Sequence, residues 1–163
     1  MSLVGYSHVY GDNIDTDRII PGKYTKTLDL QDLANHVLED LDPEFRVRVK
    51  SGDIIVGREN FGCGSSREQA PLAIKTAGVS VVIARSFARI FFRNAINIGL
   101  PVLEVHDHDI EQNDELSINL MTGEVKNLTK DKVYQGTQMP DVMVKILAEG
   151  GLVNYLKKYK QYA

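Results

Sequence analysis

Short apolar runs alternate with longer helical stretches through the middle of this chain, and that alternation restricts the fold more than any other feature. The runs are Asp53 to Val56, Ser80 to Ala84 and Val102 to Val105; between them lie Arg67 to Ala77 and Phe87 to Ile98. β-Branched residues dominate the runs, which suits strands covered on both faces. Gly78 closes the first helical stretch, and Gly99 followed by Pro101 closes the second, as expected for left-handed helix stops. Strands separated by such crossovers pair in parallel. An earlier strand is predicted over Val4 to Tyr10. Beyond His108 two alternating segments, Glu115 to Leu120 and Glu124 to Leu128, flank Met121 to Gly123 and predict an antiparallel hairpin. Helices are predicted at Asp29 to Leu41, where Leu30, Leu33, Val37 and Leu41 share a helical spacing, at Asp141 to Ala148, and at Leu152 to Tyr159. Gly22 to Thr27 has no period and reads as a mobile loop. The expected fold class is α/β: a mostly parallel central sheet flanked by helices, with an added hairpin, in one domain over residues 1–163.

Bulk properties exclude several functions. The net charge is -3, and Lys and Arg are spread along the chain, so nothing favours nucleic acid. No apolar run is long enough for a bilayer and the N-terminus carries no export pattern, which predicts a cytoplasmic protein without membrane contact. Cys63 is the only cysteine. It rules out an internal disulfide, and also a zinc site or iron–sulfur cluster built from several cysteines of this chain.

The densest chemistry lies at Gly62-Cys63-Gly64-Ser65-Ser66-Arg67-Glu68, between a predicted strand and a helix. Two glycines allow a sharp turn and close approach to a ligand. The following helix directs its free N–H groups and positive dipole end at the turn, and Arg67 adds a fork suited to a carboxylate. The competing reading is a capping box, Ser65 bonding toward Glu68 and back. Pro71 argues that the regular helix begins only near Glu68 or Gln69, which frees both serines. No Gly-Lys-Ser/Thr follows, and Arg67 stands where a dinucleotide fingerprint needs its third glycine, so neither phosphate loop fits. Cys63 either fills the turn or is a thiol activated by its surroundings. Arg85, Arg89 and Arg93 are expected at the surface or in salt bridges, with one of them able to reach the anion site, and Phe87, Ile90, Phe91 and Ile98 are expected in the core. The segment Asn13-Ile14-Asp15-Thr16-Asp17 begins like a calcium loop but lacks its glycine and closing glutamate; a turn with a hydrogen-bonding Asp17 is expected. His106-Asp107-His108-Asp109 is expected to be a polar surface loop and not a metal site.

Three segments in order, Gly11 to Pro21, Gly57 to Pro71 and Ala84 to Pro101, resemble the small subunits of the aconitase superfamily, nearest to those of isopropylmalate isomerases, with homoaconitase small subunits as close relatives. The resemblance implies a swivelling domain that docks over a large subunit, as a heterodimer or heterotetramer, with self-association of the isolated chain left open. It implies a [4Fe–4S] cluster on that large subunit and no cofactor on this chain. The activity implied is a hydro-lyase step of leucine biosynthesis interconverting 2- and 3-isopropylmalate. By match to the family motif, Ser65 resembles the base that takes a proton from carbon, Arg67 the carboxylate holder, Ser66 the second serine lining the site, and Asp17 the site-side aspartate. Tyr24 opens the family's specificity segment. Its third place holds Lys26, where isomerases have an apolar residue and homoaconitase relatives an arginine. Lys26 is a flexible cation with an apolar stem, so acceptance of both dicarboxylate and tricarboxylate substrates is expected. The alternatives are a homoaconitase small subunit and, in another class, a stand-alone anion-binding module.

Overall fold

The computed structural model describes residues 2–24, 26 and 29–159. Seven strands form one sheet in the order β4-β3-β2-β1-β5-β6-β7. The parallel half consists of β1 (Ser2–Val9), β2 (Ile54–Val56), β3 (Val81–Ala84) and β4 (Val102–Glu104). Val9, Val56, Ile83 and Leu103 stand in one row across it. Every residue of β2 and β3 is buried. That is why these runs lack the polar alternation of a half-exposed strand.

Three crossovers link the parallel strands. The first carries α1 (Thr16–Ile19), a 3-10 turn over Gly22–Tyr24, α2 (Leu30–His36) and α3 (Phe45–Arg48). The second carries α4 (Gln69–Thr76) and the third α5 (Arg89–Asn97). The predicted loop from Gly22 therefore starts as a turn of helix; Thr25, Thr27 and Leu28 lie outside the described residues. The predicted helix to Leu41 ends at His36, where Leu38 takes φ +54° and donates its N–H to Ile19 O at 2.7 Å. The helix over Phe45–Arg48 was not expected; its four residues are too few to show a period.

The antiparallel half is β5 (Glu115–Asn119), β6 (Glu124–Asn127) and β7 (Lys132–Gln135), so the expected hairpin is extended into a three-stranded meander. β1 joins the two halves, parallel to β2 and antiparallel to β5. The sheet curls until its two ends meet: Thr137 N–H, just past β7, donates to Glu104 O of β4 at 2.9 Å. α6 (Asp141–Ala148) and α7 (Leu152–Lys158) finish the chain against α5. No helix among the described residues is long and apolar enough to cross a membrane.

Candidate active site

The chain segments that leave the C-terminal ends of β1, β2 and β3 are stitched together by main-chain hydrogen bonds. Gly62 N–H donates to Ile14 O at 2.7 Å and Thr16 N–H to Cys63 O at 2.9 Å. Phe61 N–H donates to Ser86 O at 3.0 Å, and Ala88 N–H to Phe61 O at 2.9 Å. These short bridges, Asp15 with Cys63 and Phe61 with Phe87, carry parallel pairing beyond the sheet. The glycine turn is thereby held from both sides. Gly62 and Gly64 have φ +85° and +92°, values that side chains rarely adopt.

The turn ends in Ser65 and Ser66, both exposed. Thr16 Oγ1 donates to Ser65 O at 3.0 Å and fixes that peptide. Neither serine hydroxyl has a hydrogen-bond partner among the described residues. The capping box does not form: Glu68 is the N-cap in αR geometry, without a side-chain bond, and α4 begins at Gln69. Pro71 thus falls in the first helical turn, where its missing N–H costs nothing.

Arg67 is partly exposed and its Nη1 is ion-paired with Asp17 Oδ1. The guanidinium lies so close under Gly22 that a Cβ there would stand 3.2 Å from Nη1. Asp17, expected to hydrogen-bond, does so to Arg67 itself. A cavity of about 200 Å³ opens beside these groups, lined by Thr16, Ser65, Ser66 and Arg67 on one wall. The rest of the lining comes from Ala88 and the first two turns of α5, through Arg89, Ile90, Phe91 and Asn94. The N-cap Ala88 offers no side-chain bond, and the first helical N–H bonded back is that of Phe92, to Ala88 O at 3.0 Å. The N–H groups of Arg89, Ile90 and Phe91 therefore lack helical acceptors. Their partial positive charge faces a cavity already bordered by a guanidinium.

Of the three arginines after β3, Arg89 reaches this cavity. Arg85 turns the other way and donates from Nη2 to His108 O at 3.0 Å. Ile90, expected in the core, is 49% exposed at the cavity instead. Phe91 carries the core contact, edge-on to Phe61 with ring centroids 5.4 Å apart. Cys63 is not activated: burial, and then the Asp15 carboxylate, push its thiol above the ordinary value.

Tyr24 and Lys26 are not among the residues lining this cavity. The Tyr24 ring stacks on His36 with centroids 3.8 Å apart, and Lys26 is exposed. His108 is buried, contrary to the expected surface loop. Its Nε2 lies 3.2 Å from Gly57 O, and Ile110 N–H approaches Nδ1 at 3.3 Å, which fits a neutral ring with its proton on Nε2. Burial is the main cause of its lowered pKa. His8, for which sequence offered no partner, is buried 2.8 Å from Asp53 Oδ2.

Residues 38–108 match the family model described as the aconitase C-terminal domain. The chain is 57% identical over 159 residues to a 3-isopropylmalate dehydratase small subunit from Clostridium beijerinckii, covering 96% of this chain and 99% of the relative. It is 56% identical to a methanogen homoaconitase small subunit from Methanothermobacter thermautotrophicus, covering 91% and 87%. A crystal structure of 3-isopropylmalate dehydratase from Methanocaldococcus jannaschii superposes with a TM-score of 0.94 at 48% identity, covering 99% of this chain and 96% of that one.

Proposed function

This chain belongs to the family of 3-isopropylmalate dehydratase small subunits, and from that membership we propose that it is the small subunit of a cytoplasmic hydro-lyase. The enzyme removes water from 2-isopropylmalate and adds it back to give 3-isopropylmalate. The observation that carries the site assignment is the pairing of two exposed, unpartnered hydroxyls, Ser65 and Ser66, with the Arg67 guanidinium at one wall of a cavity. Arg67 holds one substrate carboxylate, in a geometry set by Asp17 and Gly22. Ser65 Oγ, as the alkoxide, takes the proton from the carbon beside that carboxylate. A serine is a weak base unless its anion is stabilised, and the open N–H groups of α5 with the neighbouring cations supply that stabilisation.

The departing hydroxyl calls for a Lewis acid, which in this family is a [4Fe–4S] cluster. Among the described residues no three His, Cys, Asp or Glu side chains gather to hold a metal. With one cysteine, the chain does not fit a cluster. By the family resemblance we assign the cluster to a large partner subunit, and the isolated chain is expected to turn over no substrate. Purified with that partner, Ser65→Ala should lower turnover about 10²- to 10⁴-fold while the two subunits still co-elute. Turnover near the wild-type rate would remove Ser65 from the base role.

Lys26 favours a second reading. Lys26 is exposed and outside the cavity lining, but it holds the third place of the segment that resembles the family's specificity loop, where a cation suits an extra carboxylate, and a homoaconitase small subunit is 56% identical to this chain against 57% for a dehydratase small subunit. We propose relaxed specificity, to be tested by assaying the assembled pair on 2-isopropylmalate and on cis-homoaconitate. Failure to turn over the tricarboxylate would end this second reading and leave the first intact.

A further inference from the structure

Two neighbours hold the Arg67 guanidinium in place. One is the Asp17 carboxylate. The other is the backbone of Gly22, where an added Cβ would stand 3.2 Å from Nη1 and 3.4 Å from Nη2. Gly22 opens the 3-10 turn that ends at Tyr24, so whatever fixes that turn also fixes one side of the guanidinium. Tyr24 is fixed from the last residue of α2. Its ring lies flat on the His36 ring, with centroids 3.8 Å apart and planes 4° from parallel. Lys23 Nζ stands 5.2 Å from the centroid of the Tyr24 ring. His36 is itself oriented. Its Nδ1 lies 2.9 Å from Glu39 Oε1, and a ring nitrogen facing a carboxylate carries the proton and donates it. That bond is the leading cause that holds the Glu39 carboxyl below its ordinary value. Two residues past His36, the buried Leu38 takes φ +54° and donates its N–H to Ile19 O at 2.7 Å. This ties residues 20–37 into a closed loop, at the cost of a strained leucine. The bend there lets Glu39 N–H donate to His36 O at 3.2 Å while its carboxylate returns to the ring. The His36 and Glu39 side chains are 29% and 36% exposed, so they add little to the core. Neither lines the cavity. What the stack governs is the turn beside Arg67.

We propose that His36 is a positioning residue for substrate binding: stacked on Tyr24 and oriented by Glu39, it keeps the Gly22 turn against the Arg67 guanidinium. The inference rests on the function proposed above, and His36 itself touches no substrate. Without the stack the turn can shift and the guanidinium gains other rotamers. An incoming carboxylate must then bring it back to the productive one. The loss falls on binding the acid and not on moving the proton, because the serine turn is held by the separate bonds of Thr16 to Cys63 O and Ser65 O.

The test uses the assembled two-subunit enzyme with four variants. His36→Leu keeps the bulk and loses the flat ring, and His36→Phe keeps the ring. Arg67→Lys and the double variant of His36→Leu with Arg67→Lys stand beside them, and each is checked by urea denaturation. His36→Leu should raise KM for 2-isopropylmalate about 3- to 10-fold, the loss expected from one ring stack, with kcat nearly unchanged. His36→Phe should recover most of that loss. In the Arg67→Lys background, His36→Leu should raise KM little further, because the group it positions is gone. An unchanged KM in His36→Leu overturns the inference, also when its urea midpoint falls, since the stack would then be a structural contact alone. So does a full KM penalty in the double variant, which would show that His36 acts other than through Arg67. Arg67→Lys separates the two levels. If its KM is that of the wild type, the reading of Arg67 as the carboxylate holder falls whatever His36 does. If its KM rises while that of His36→Leu does not, only the positioning role falls.

Discussion

At Gly62 a single added carbon would meet Phe91 Cγ at 2.2 Å while the backbone holds φ +85°. Both the overlap and the left-handed conformation oppose any other residue. Gly62→Ala is expected to cost about 3 kcal/mol, read as a lower midpoint in urea unfolding, and to disturb the serines that follow. Gly64 has the same backbone sign but 3.5 Å of room, so Gly64→Ala should cost only about 1–2 kcal/mol. The motif Gly-Cys-Gly-Ser-Ser-Arg was legible as chemistry because it groups small, hydroxyl and guanidinium residues within one turn. Arg89 was legible only as one of three equivalent arginines. Its distinction from Arg85 depends on how the strand-to-helix turn after Ala84 rotates the backbone, which no local pattern encodes. The neutralisation of Arg67 by Asp17 was equally hidden, since the partners are 50 residues apart in sequence.

Helix starts show where element-scale signals compete. Serine and glutamate at capping spacing would begin α4 early, but Pro71 must occupy the first turn, and the observed start at Gln69 follows the proline. Between β1 and β2, buried polar groups anchor the elements. Asp53 accepts from the His8 ring at 2.8 Å, Lys50 N–H at 3.0 Å and Tyr6 N–H at 3.4 Å. Asp53→Ala would strand these donors and should cost about 3–5 kcal/mol, measurable by urea denaturation. His108 links the segment after β4 to Gly57, and burial lowers its pKa below the ordinary 6.5. Because the folded state disfavours the proton, this stabilisation is complete above pH about 6.5. It is lost as pH falls from there through the lower folded pKa. His108→Gln, which keeps a donor toward Gly57, should flatten that part of the stability–pH curve. Strands β2, β3 and β4 were readable because complete burial selects unbroken apolar runs. β7 was not, because Lys132 and Val133 face solvent and only Tyr134 is buried.

Across the whole molecule, one core extends from Ile19 and Phe45 under the parallel strands to Leu116, Val125 and Tyr134 under the antiparallel ones. β1 is shared by both halves, and a Cβ on its Gly5 would stand 2.1 Å from Gly52 O. Unfolding should follow a single urea transition, and Gly5→Ala should lower its midpoint with little change in slope; two separated transitions would show that the halves fold independently. The alternation of runs and helices revealed the parallel half, while the curl that brings Glu104 to Thr137 depends on strand twist accumulated over seven strands. The bonds that join the three site segments, from Gly62 to Ile14, Thr16 to Cys63 and Phe61 to Ser86, run between backbone atoms. Such bonds are indifferent to what each position carries beyond its Cα. Point changes on the cavity walls can therefore alter which acid is admitted while the frame beneath keeps its shape, so new substrate preferences can evolve here without the chain having to learn a new way to fold.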